Sequence, residues 1–127
     1  MSEPIPDDGY PLFDLRVEVL APAPGMRFVC RHVEGDYFTV TDDDLLTMGP
    51  GVRFPMFSLA AILPVLPAKQ RDLHAHDWMS TDTVIACPDP HCGGRFEITR
   101  ETRRIHRHSE NSALPLDPPP SPTEAHS

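Results

Sequence analysis

The chain has 127 residues, 39% of them hydrophobic and sixteen of them proline, with a formal net charge of -8. That length fits one domain, and so low an apolar fraction leaves part of the chain outside any core. The charge argues against nonspecific binding to nucleic acid or an anionic membrane, and no stretch approaches the ~20 apolar residues of a membrane span.

The acidic start "MSEPIPDDGY" lacks the basic and apolar regions of a targeting peptide, so residues 1–11 are expected to be a disordered segment of a cytoplasmic protein. In such a compartment three cysteines serve as thiols or ligands rather than as a disulfide framework. "FDLRVEVL" then alternates, with Leu15, Val17 and Val19 on one face and Asp14, Arg16 and Glu18 on the other, which predicts a half-buried strand. "APAPG" breaks it. "MRFVCRH" reads as a short second strand and "VEGDYFTV" as a turn at Glu34-Gly35-Asp36 leading into a third, the two forming a hairpin.

"TDDDLL" reads as a helix start, with Thr41 or Asp42 as cap. The longest apolar run, Phe54 to Leu66, predicts the main helix, with Pro55 tolerated in its first turn and Pro64 near its end. "PAKQRDLHAHDWMSTD" is a polar loop long enough to draw functional suspicion. "TVIAC" and "RFEITR" are the last two strands. The basic run "RETRRIHRH" that follows has no interleaved aromatics for base stacking and reads as a solvated, fraying end rather than a nucleic-acid contact. "PLDPPPSP" has almost nothing to bury, so 105–127 is expected to be a disordered Pro-rich tail. Residues 12–104 are left as a single α+β domain: a small curved, mostly antiparallel sheet of about five strands with one covering helix.

Chemistry concentrates in the cysteines and histidines. Cys30 and His32, two apart in a strand, would project from one face about 6–7 Å apart. The loop "CPDPHCG" adds Cys87 and Cys92, completing a Cys30–His32–Cys87–Cys92 set of the kind tetrahedral zinc takes, with His91 as a substitute ligand. The loop is similar to the C-P-x-x-C-G knuckle of zinc ribbons, with C-x₄-C in place of C-x₂-C. The rival reading makes Cys87 a reactive thiol beside His32, with Asp89 orienting the histidine. The bland reading makes Cys87 a small buried hydrophobe. His74 and His76 in "LHAHDW" are similar to the H-x-H pair of metal-dependent hydrolases and cupins, but the further ligands those sites need are absent from the chain. The sequence contains no phosphate-cradling glycine loop, no G-x-S-x-G and no H-E-x-x-H.

Taken together, Cys30, Gly35, Asp36, Phe38, Pro64, Cys87, Pro88, Asp89, Pro90, Phe96 and Ile98 resemble the pattern of a family of small prokaryotic proteins of uncharacterised function. The likeness spans about residues 13–100. It implies a compact α+β domain without an assigned activity, in which Cys30 and Cys87 belong to the shared framework and Cys92 is particular to this chain. The expectation is therefore a cytoplasmic accessory protein with a zinc-binding Cys/His site. The alternatives are a small enzyme using Cys87 as a thiol, or a module that only binds a protein partner.

Overall fold

In the computed structural model, which describes residues 7–116, the chain is an α+β domain built on an open five-stranded antiparallel sheet. Strand β1 (Gly9–Val19) runs through the middle, β2 (Tyr37–Thr41) and β3 (Leu45–Met48) lie to one side, and β5 (Arg95–Arg107) and β4 (Val84–Ala86) to the other, in the order β3-β2-β1-β5-β4. The alternation read in β1 holds, because Leu15, Val17 and Val19 are all fully buried. They meet Phe38 and Val40 of β2 and Phe96 and Ile98 of β5 across the register pairs Val17↔Phe38, Val17↔Ile98 and Val19↔Phe96. Each such side chain stabilises the fold by roughly 1.5–3 kcal/mol.

The apolar run predicted as the main helix covers this face in three continuous pieces: α1 (Met56–Ile62), a 3₁₀ turn (Leu63–Val65) and α2 (Leu66–Lys69). Pro64 has no N–H to give to an α-helical carbonyl, which accounts for the tightened turn there. Ser58, Ile62 and Leu66 point inward at helical spacing, so one hydroxyl is buried in an otherwise apolar stripe. Two short helices complete the chain, α3 (Trp78–Thr81), capped by the Asp77 carboxylate on the Met79 N–H, and α4 (His108–Asn111).

Four expectations need correction. "MRFVCRH" is not a strand: β1 pairs with β2 directly, and the chain between them lies as a long loop across the end of the sheet. The Ala23 N–H donates to the Gly93 carbonyl at 3.0 Å and the Gly93 N–H to the Arg27 carbonyl at 2.8 Å, so backbone polar groups of this loop are satisfied by another loop rather than by a ladder. "TDDDLL" does not start a helix. Thr41 and Leu45 close a hairpin whose loop holds Asp42 and Asp43 at φ 49° and 76°, a left-handed conformation that aspartate tolerates. Cap and turn signals use the same residue, and pairing of Leu45–Met48 with β2 decides between them.

The basic run is the other half of β5 rather than a fraying end, paired with β1 from Phe13↔Arg103 to Gly9↔Arg107 beyond a bulge opposite Phe13–Leu15. The ordered part consequently extends past both expected boundaries, to Gly9–Pro11 in β1 and Ile105–Arg107 in β5. The remainder of the proposed tails, 1–6 and 117–127, falls outside the described residues. Among the described residues no helix is long and apolar enough to cross a membrane.

Candidate metal centre

The loop that crosses the sheet end and the loop from Cys87 to Gly94 meet edge to edge, and all three cysteines sit at the seam. Two glycines let them approach. A Cβ on Gly93 would fall 2.9 Å from the Met26 Cβ and 3.1 Å from the Arg27 carbonyl; on Gly94 it would fall 3.1 Å from the Cys87 Cβ and 3.4 Å from the Cys92 Sγ. The second loop is itself a compact turn: Cys87 N–H donates to the Gly94 carbonyl at 2.9 Å, Cys92 N–H to the Asp89 carbonyl at 3.0 Å, and His91 N–H to the Asp89 carboxylate at 2.9 Å.

The result is a cluster in which the Sγ atoms of Cys30, Cys87 and Cys92 all lie within 4.8 Å of one another. Cys30 and Cys87 are 3.5 Å apart. Two sulfurs bound at ~2.3 Å to one tetrahedral ion stand about 3.8 Å apart, so these three need move little to share one. Their protonation is unequal. Burial raises the Cys92 thiol, but the backbone N–H groups of Cys30, Val29 and Gly94 outweigh it and lower the group to about 7; the Val29 N–H lies 3.3 Å from the sulfur. Cys30, hydrogen-bonded to Cys87 and partly desolvated, is pushed up to about 12. A sulfur whose thiolate is favoured by backbone donors, beside two further cysteine sulfurs, is a set that a cation would draw together.

His32 stands next to the sulfurs without joining them. It is buried among Phe28, Phe54 and Phe96, with the Phe96 ring centroid 4.8 Å away. Its Nε2 is 3.0 Å from the Ser58 hydroxyl, which in turn lies 3.8 Å from the Cys87 sulfur. Burial lowers the pKa of the ring, with the Asp36 charge opposing, and its Nδ1 has no hydrogen-bond partner among the described residues. Of the four residues chosen from the sequence, the structure thus gathers the three sulfurs, while the imidazole is tied to them through Ser58.

The other candidates lie elsewhere. His91 is exposed at the turn, and the Asp89 carboxylate serves that turn rather than His32. His74 and His76 are exposed and hydrogen-bonded to each other, the His76 N–H donating to His74 Nδ1 at 3.0 Å. Sequence reasoning missed Ser58 and Gly94. The signal for Ser58 was available, as a polar residue at a core position of the 58/62/66 stripe. Gly94 carried none, because its role depends on what packs against it.

Comparison of the chain with protein-family models, with curated proteins and with solved structures finds no match.

Proposed function

We propose that the protein is a small cytoplasmic accessory protein that holds one metal ion, zinc before iron or copper, through Cys30, Cys87 and Cys92. The observation that carries this reading is the convergence of three sulfurs from two separate loops to within 4.8 Å. Backbone donors aimed at Cys92 strengthen it, since they stabilise the thiolate that a metal requires. In this reading Ser58 and His32 form an outer layer that fixes Cys87, as the groups behind metal ligands commonly do. The ion would join the two loops that close the end of the sheet, and so would stabilise the fold by binding the folded state alone. The likeness of Cys30 and Cys87 to a shared family framework belongs to the same proposal.

An enzyme with Cys87 as nucleophile finds less support. Cys87 is only 7% exposed, the acidified thiol is that of Cys92, and Asp89 is engaged in its own turn. The test is metal content and free thiols in protein purified without a metal-binding tag, for wild type and for Cys30→Ser, Cys87→Ser and Cys92→Ser. About one equivalent of metal in the wild type and its loss in all three variants is the expected result. Metal-free protein with a single thiol that alkylates rapidly well below the ordinary thiol range would instead establish the thiol chemistry.

A further inference from the structure

The sulfur cluster reaches the surface at one place. Cys87 and Cys92 are buried, whereas Cys30 is half-buried and forms part of the wall of a cavity of about 610 Å³, a size suited to a small metabolite. Two arginines, Arg31 and Arg53, line that wall against one acidic residue, Asp36, and Val33 and Phe54 line it too. Among the described residues the ion pairs engage Arg16, Arg103, Arg104 and Arg107, and leave Arg31 and Arg53 without a carboxylate. Both residues are exposed.

An ion bound by three sulfurs keeps a fourth tetrahedral position. His32 is not in the group of donor atoms that lie within 4.8 Å of one another, and its Nε2 is held by Ser58, so an outside donor would come past Cys30, through the cavity and its arginines. Resting on the metal reading above, we infer that this position takes a low-molecular-weight thiol bearing a carboxylate, its sulfur on the metal and its carboxylate on Arg31 and Arg53. A soft sulfur donor matches the three already present, and a carboxylate is the planar partner that guanidinium recognises. On binding, the thiol proton goes to solvent and the thiolate replaces water at the ion. No bond to carbon changes.

The test uses the full chain loaded with Co(II), whose visible absorbance reports its donor set, titrated with 3-mercaptopropionate. Butyrate, which lacks the sulfur, and 2-mercaptoethanol, which lacks the carboxylate, are the controls. The expected result is a spectral change with 3-mercaptopropionate at a concentration about tenfold lower than with 2-mercaptoethanol, and none with butyrate. Arg31→Ala/Arg53→Ala should erase that tenfold preference while Co(II) loading stays the same. An unchanged spectrum, or a tenfold preference that persists in the double variant, overturns the inference. Absence of a sulfur-to-cobalt absorbance before any thiol is added would sink the metal reading itself, which is a different failure.

Discussion

The two ends of this sheet looked alike as sequence, each a short stretch dense in groups capable of chemistry, and they differ in what the fold leaves unsatisfied. At the arginine end the prominent charges have partners. Arg104 meets the buried Asp14 carboxylate at 2.7 Å, Arg103 meets Asp72 at 2.9 Å and Arg107 meets Asp8 at 3.0 Å, while Arg100 donates to the Lys69 carbonyl at 2.7 Å. The long polar loop that drew suspicion supplies much of this, through the carbonyls of Lys69 and Arg71 and the Asp72 side chain. At the cysteine end three sulfurs face one another, one of them with its pKa lowered by backbone N–H groups, and an imidazole nitrogen is buried with no partner among the described residues. Density of functional groups is thus a poor guide by itself; unspent bonding capacity separates a site from a strut.

The sharpest way to test that contrast is to remove one sulfur. Cys92→Ser should lower metal affinity by more than ~100-fold, read by competition with a chromophoric chelator, because it deletes the sulfur whose thiolate the backbone N–H groups favour. Gly94→Ala forces a methyl group between Cys87, His32 and Cys92. Overpacking of that kind costs about 1–3 kcal/mol, so its denaturant midpoint should fall and its metal uptake weaken with it. Ser58→Ala leaves His32 Nε2 without its bond and should destabilise by ~1–2 kcal/mol, with a loss of about tenfold in metal affinity that a purely structural serine would not produce.

At the opposite end the effects should be smaller and confined to stability. Arg104→Ala strips the buried Asp14 of its partner, but the arginine side chain is itself exposed, so its denaturant midpoint should fall by less than that of Gly94→Ala or Ser58→Ala. Arg103→Ala, on a pair exposed at both partners, should leave the midpoint almost where it was. Neither should change metal binding.

The pH dependence of the metal-free protein follows from the same asymmetry. The Cys92 thiol and the His32 ring both have folded pKa values below their ordinary ones, so each contributes stability that is present at higher pH and lost as pH falls. For Cys92 the window runs from its ordinary value of 9.0 down to about 7. For His32 it lies below its ordinary value of 6.5. Cys30 works the other way: its folded thiol keeps its proton to about 12, so stability declines above its ordinary value of 9.0, where the unfolded thiol ionises. The thermal midpoint of the apo protein should rise from about pH 6 to about pH 9 and then fall, and Cys92→Ser should flatten the rise above about pH 7.

What was legible in the sequence divides along the same line. The alternation of Leu15, Val17 and Val19 and the apolar run over Phe54–Leu66 are local signals, and the sheet, its covering helix and the hairpin between Cys87 and Arg95 follow from them. The reading of residues 26–32 as a strand failed because a short alternating stretch also suits a loop whose hydrogen bonds go to another loop. Cys92, the cysteine that family likeness left outside the shared framework, is the one whose thiolate is best supported, since three backbone N–H groups from distant and neighbouring residues converge on it only after folding. The helix that delivers Ser58 to Cys87 and His32 was foreseen, but that contact depends on how the helix crosses the sheet.

The most direct measurement is X-ray absorption at the metal edge of the zinc-loaded protein. Sharing of one ion by Cys30, Cys87 and Cys92 predicts a first shell dominated by three sulfurs at ~2.3 Å. A shell made only of nitrogen and oxygen would contradict it.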